Sequence, residues 1–137
     1  METVLSPVKK TVINPWAFQD NLAFAQASEV PFSAATLYCS GKETPKEKSN
    51  VSGGNMSEEI HNAFDKLEAE LRNKGYTLSD VVRLNFYTTS VDAFLDEYEI
   101  VLKRLKEFNC VPSSTLTEVR TLASPSLMLE LEATAAR

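Results

Sequence analysis

Apolar residues recur every three to four positions in two stretches of the chain and at alternate positions in several others, so helices and strands are both expected. Ile60, Phe64, Leu67 and Leu71 form one stripe of a first helix. Asn55 with Glu58, or Ser57 one turn in, is placed to cap its free amides, and Gly75 to end it. Glu68 with Arg72 and Glu70 with Lys74 stand four apart on its polar side. A second stripe, Phe94, Tyr98, Val101, Leu105 and Phe108, predicts one helix from about Val91 to Phe108.

The remaining apolar segments read as strands. Leu22–Val30 and Thr36–Ser40 lie so close in sequence that a hairpin is predicted. Lys10–Asn14 predicts a short edge strand, cut off by Pro15. Val81–Thr89 predicts a strand with Val82, Leu84 and Phe86 on one face and Arg83, Asn85 and Tyr87 on the other. Ser114–Leu122 and Leu127–Thr134 follow. Gly41–Asn55 has almost no apolar residue and predicts an exposed, mobile loop. The order is β-β-β-α-β-α-β-β, an α+β fold with two helices on one face of a mostly antiparallel sheet.

The last strand poses a packing problem. Leu127, Leu129, Leu131 and Ala133 point to the helix side, leaving Met128, Glu130, Glu132 and Thr134 on the back. Self-association would cover that mixed face; solvent is the alternative.

Length and charge then narrow the class. With 137 residues, 43% apolar and 24% charged, a single domain over residues 1–137 is expected. Lys plus Arg is 14 and Asp plus Glu 19, a net charge of −5, which argues against nucleic acid as a partner. No apolar run is long enough to span a membrane, and residues 1–10 lack the apolar core of a signal peptide, so a cytoplasmic protein is expected.

Few residues offer chemistry. His61 is the one histidine and sits off the apolar stripe, where a surface role is expected. Cys39 and Cys110 read as buried small hydrophobes, neither activated by a neighbour in sequence. One histidine and two distant cysteines supply a metal site poorly, and no glycine-rich loop points to a nucleotide, so no metal and no cofactor are expected. Glu130 and Glu132 project the same way, about 7 Å apart on an extended strand. Such a pair suits acid–base work or orienting a water, unless Arg83 or Arg120 neutralises one of them. Trp16 either walls a small-molecule pocket or plugs the sheet edge.

Four segments, in this order, carry a resemblance: Asn14-Pro15-Trp16-Ala17-Phe18-Gln19, Leu37-Tyr38-Cys39-Ser40-Gly41, the stretch from Leu78 to Thr89, and Leu127-Met128-Leu129-Glu130-Leu131-Glu132-Ala133. The chain resembles the reactive-intermediate deaminase family (RidA/YjgF-type, endoribonuclease L-PSP-like). The resemblance implies a chorismate-mutase-like fold assembled as a homotrimer, sheets lining a central barrel, with a small-metabolite cleft at each subunit interface. Active members hydrolyse enamines and imines to 2-oxo acids and ammonia. In them an arginine after a proline holds the substrate carboxylate, and a glutamate on the last strand orients water.

Here the arginine position falls on Ser114 and the following site position on Leu116, while Glu130 is kept. A serine hydroxyl cannot replace a bidentate guanidinium, and Arg120 is about 20 Å further along an extended strand. The resemblance thus implies an arginine-less branch, with Glu130 in the catalytic position and Trp16, Ser40, Gly41, Ser114 and Leu116 around the ligand. Three functions follow from it: a small-metabolite-binding protein that hydrolyses a C–N bond through Glu130 and water, a non-catalytic ligand-binding trimer, or an endoribonuclease, which the negative charge disfavours. Whether the chain is an enzyme stays open at this point.

Overall fold

The computed structural model describes residues 11–13, 22–42 and 55–137. Its main sheet contains β3 (Thr36–Lys42), β4 (Val81–Thr88), β5 (Ser113–Glu118) and β6 (Leu129–Ala136), in the order β3-β6-β4-β5. The first two pairings are antiparallel and β4–β5 is parallel. A parallel neighbour needs a crossover, and the segment between β4 and β5 supplies a helical one. The sheet is therefore mixed. Two short strands, β1 (Thr11–Ile13) and β2 (Ala27–Glu29), pair with each other separately.

The core lies between the sheet and its helices. On β6, Leu129, Leu131, Ala133 and Ala135 are buried, as sequence alternation predicts, and Leu127 just before the strand is buried with them. Against them lies α1 (Met56–Asn73), whose Ile60, Phe64, Leu67 and Leu71 are all fully buried. Asn55 caps it, its Oδ1 accepting from the amides of Ser57 at 3.0 Å and Glu58 at 3.4 Å.

The helix ends in a Schellman turn. The amide of Tyr76 donates to Leu71 O at 2.8 Å and that of Gly75 to Arg72 O at 3.0 Å. Gly75 takes φ +82°, and an added Cβ would lie 3.1 Å from the Arg137 guanidinium. That guanidinium stacks over Tyr76, 4.3 Å from the ring centroid, and donates to Gly75 O. Gly75→Ala is expected to cost about 1–2 kcal/mol, since both the left-handed backbone and the seated arginine resist a methyl group. A urea midpoint unchanged from wild type would contradict this.

Several elements differ from the sequence reading. The hairpin between Leu22–Val30 and Thr36–Ser40 does not form. The first segment keeps only Ala27–Glu29 as a strand, which pairs with β1, while β3 pairs with the far end of the chain. The physical reason is that Ala23 and Phe32 adopt positive φ, breaking the extended run at both ends, and β6 offers β3 the apolar face that closeness in sequence does not.

The predicted helix from Val91 to Phe108 is two helices, α2 (Val91–Asp96) and α3 (Tyr98–Lys106). At Glu97 (φ −109°, ψ 16°) the hydrogen bonds tighten: its amide reaches Phe94 O, and the Ile100 amide reaches Glu97 O. The stripe survives the break, with Phe94, Val101 and Leu105 buried.

On β4 a bulge between Val81 and Arg83 puts Val81, rather than Val82, in the core beside Leu84 and Phe86. β5 stops at Glu118, short of Leu122, and β6 begins at Leu129 and runs on to Ala136. Gly41 and Lys42 belong to β3 rather than to the predicted loop; positions 43–54 of that loop lie outside the described residues. Glu68 pairs across helices with Arg104 at 2.5 Å, and Arg104 also meets Asp65 at 2.8 Å.

Candidate functional site

Parallel pairing brings Leu84 beside Ser114 and Phe86 beside Leu116. These side chains face the helices, because Leu84 and Phe86 belong to the buried face of β4. At the β5 edge, Ala25 bridges to Ser113, and its amide donates to Pro112 O at 2.8 Å. The neighbouring Leu22 and Phe24 thereby cover the gap between β5 and the helices. A cavity of about 240 Å³ results. Its floor is Phe86, Ser114 and Leu116, its helix wall is Phe94, Leu95 and Tyr98, and its rim is Leu22 and Phe24. The aromatic wall is continuous: Phe86 and Phe94 lie 5.1 Å apart between centroids, and Tyr98 meets Phe94 edge-on at 5.7 Å.

Its two hydroxyls are both engaged. Ser114 Oγ donates to Leu84 O at 2.6 Å, and the Tyr98 hydroxyl donates to Leu22 O at 2.9 Å. Burial pushes the Tyr98 phenol up to about 12, so it stays neutral through the physiological range.

The other face of the sheet is polar. Glu132 accepts from Asn85 Nδ2 and from the Tyr87 hydroxyl, both at 3.0 Å. Those two donors hold its carboxyl below the ordinary carboxylate value, helped by Arg83, and the Glu132 bond raises Tyr87 in turn. Arg83 itself donates to Thr115 Oγ1 at 2.7 Å. Glu130 stands opposite Tyr87 and lies across Gly41: a Cβ there would be 2.6 Å from Glu130 Cγ and Oε1, and closer still to Cδ. Glycine at position 41 is what lets that carboxylate lie flat on β3. Tyr38, 78% exposed, and Ser40 line a shallow concavity of about 190 Å³ with Glu132 and Thr134.

Within one chain the expected site residues thus form two groups. Ser40, Gly41 and Glu130 share the polar face. Ser114 and Leu116 sit in the helix-side cavity, and Trp16 lies outside the described residues. Sequence reasoning missed Leu22, Phe24, Phe86, Leu95 and Tyr98 as cavity residues. Phe94 and Tyr98 do appear in the helix stripe, but nothing in a single sequence shows that β5 lies parallel beside β4. It also missed Glu59, 3% exposed on α1, whose Oε1 accepts from the Met128 and Leu129 amides at 2.7 and 3.2 Å. His61 is exposed, with Nδ1 3.3 Å from Arg104 Nη1, and both cysteines are buried thiols outside any disulfide among the described residues.

The family model for Endoribonuclease L-PSP matches residues 19–137. The chain belongs to this family. Among solved structures, the Rid-family protein YyfB from Yersinia pestis, of unknown function, is 27% identical, with a TM-score of 0.79 over 93% of this chain and 98% of that one. E. coli TdcF with bound serine is 18% identical, with a TM-score of 0.67 over 99% and 96%. A YjgF/YER057c/UK114-family protein from Mycobacterium tuberculosis is 22% identical, with a TM-score of 0.64 over 94% and 100%. The last two speak for the fold alone. No curated protein matches the chain. The α+β architecture of the YjgF, chorismate-mutase-like type is therefore established, and no helix among the described residues is long and apolar enough to cross a membrane.

Proposed function

We propose that this Rid-family chain is a small-molecule-binding protein of an arginine-less branch, acting as a homotrimer, whose ligand occupies the cavity between β4–β5 and α2–α3. The observation that carries this reading is the cavity itself: about 240 Å³, walled by aromatic and aliphatic side chains, with Ser114 and Leu116 in its floor. Hydrolysis of amino-acid-derived imines, known in the Rid family, needs a cation for the substrate carboxylate, and Ser114 supplies none. Purified protein is expected to leave the rate of 2-iminobutanoate hydrolysis within about twofold of the uncatalysed rate, and RNA uncut in a parallel assay. Turnover matching an arginine-bearing relative would overturn the reading.

A trimer is supported by the polar face. Tyr38 is 78% exposed there in the single chain. A second subunit against this face would cover that ring. Light scattering is expected to give about three times the 15.2 kDa chain mass; a value near the chain mass at micromolar concentration would refute assembly.

A second reading gives the family's water-orienting role to Glu130. Its favour comes from Gly41, the residue whose missing side chain lets the carboxylate lie in one place. It predicts slow C–N hydrolysis that Glu130→Gln abolishes.

A further inference from the structure

We infer that the cavity selects a small, neutral, largely apolar molecule carrying a hydrogen-bond donor, such as an alcohol or primary amide, and rejects carboxylates. This rests on the reading that the cavity is the ligand site, and it names the class of ligand. Eight side chains among the described residues line the space, and of these Ser114 and Tyr98 alone are polar. Each has given its one proton to a backbone carbonyl, Ser114 to Leu84 O and Tyr98 to Leu22 O. What these hydroxyls still present are lone pairs. Rotating either hydroxyl toward a ligand would give up the bond it makes here, so lone pairs are what the two hydroxyls offer a ligand.

An anion entering this space would lose its hydration and meet no side-chain donor among the described residues in return. That penalty is large for a carboxylate in an apolar pocket and much smaller for its alcohol counterpart, whose hydroxyl can donate to the free lone pairs of Ser114 or Tyr98. A cation gains two lone pairs and no counter-charge, which leaves the neutral donor as the matching class. Size follows from volume: an apolar cavity of about 150 Å³ accommodates benzene, so one of this size suits roughly eight to ten non-hydrogen atoms.

The test uses the full chain and two matched pairs, benzyl alcohol against benzoate and 3-methylbutan-1-ol against 3-methylbutanoate, with toluene as the hydrocarbon control. Binding is followed at pH 7 by chemical-shift titration of the Leu95 and Leu116 methyl groups. Each alcohol is expected to bind at least tenfold tighter than its carboxylate, and to move both methyl resonances. Ser114→Ala combined with Tyr98→Phe should bring benzyl alcohol within twofold of toluene, and Leu116→Phe, which fills the floor, should weaken every neutral probe at least fivefold. Thermal melts check that each variant is folded; if one is not, the order of probes on the wild-type chain decides.

Carboxylates binding as tightly as the alcohols, or tighter, would overturn the selectivity while leaving ligand binding in this cavity intact. Saturation without shifts at Leu95 and Leu116 would overturn the location. No binding by any probe at millimolar concentration would overturn both this inference and the reading beneath it.

Discussion

Glu59→Ala is expected to lower the melting temperature by about 10 °C at a fixed protein concentration. Glu59 extends from the first turn of α1, where a carboxylate also suits the helix dipole, and its Oε1 accepts from two successive amides at the entrance to β6. Truncation leaves both amides buried without that acceptor. Each unsatisfied donor costs about 1–3 kcal/mol, so a total near 3 kcal/mol is reasonable, and for a domain of this size each kcal/mol moves the midpoint by roughly 3–5 °C. A melting temperature within about 2 °C of wild type would show that the clasp contributes little.

The same carboxyl gives a pH signature. Burial raises its pKa above the ordinary value, the two amide bonds offsetting part of that rise, and Oε2 is buried with no hydrogen-bond partner among the described residues. A raised acid pKa means that the folded state binds the proton more tightly than the unfolded chain. The associated stability is fully present below about pH 4.5, the unfolded value, and is lost as pH rises through the higher folded pKa. Glu59→Gln keeps an acceptor for the amides and cannot ionise. Wild type should therefore lose stability relative to Glu59→Gln as pH rises from 4 to 8. A constant difference across that range would remove ionisation of Glu59 from the account.

Glu59 also marks where sequence reading runs out. In the sequence it is one of two adjacent glutamates at a helix start, indistinguishable from surface charge, and only the fold shows that β6 begins beneath it. The leucine alternation of β6 and the stripe of α1 were legible because each periodicity records a buried face directly. The β3–β6 pairing was not legible, because it joins residues about 100 positions apart and sequence closeness favoured the wrong neighbour. The bulge at Val81–Arg83 shifts which valine is buried, a change that alternation cannot carry. For the site, the motif positions picked out Ser114 and Leu116, but the aromatic wall around them comes from Phe86, Phe94 and Tyr98 on three elements whose meeting depends on a parallel pairing.

Glu132→Gln is expected to lower the melting temperature by about 2 °C, whereas Glu130→Gln should leave it unchanged. The two carboxylates share a strand and a face but differ in what they touch. Glu132 organises the polar face, taking a hydrogen bond from Asn85 and another from Tyr87, whereas Glu130 lies along Gly41. Neutralising Glu132 keeps an acceptor but turns two charge-assisted bonds into neutral ones. At an exposed position screening reduces that loss to about 0.5 kcal/mol, which reads as a lowering of the melting temperature by about 2 °C. The pH dependence has the opposite sign to that of Glu59. A carboxyl held below its ordinary pKa contributes stability that is present above about pH 4.5 and is lost as pH falls through its folded value. The wild-type chain should accordingly lose stability between about pH 4.5 and 3, and Glu132→Gln should lose it less steeply over that interval. Thermal melts of both variants across pH 3–7 test the division of roles: if Glu130→Gln destabilises the chain while Glu132→Gln does not, the two assignments are reversed.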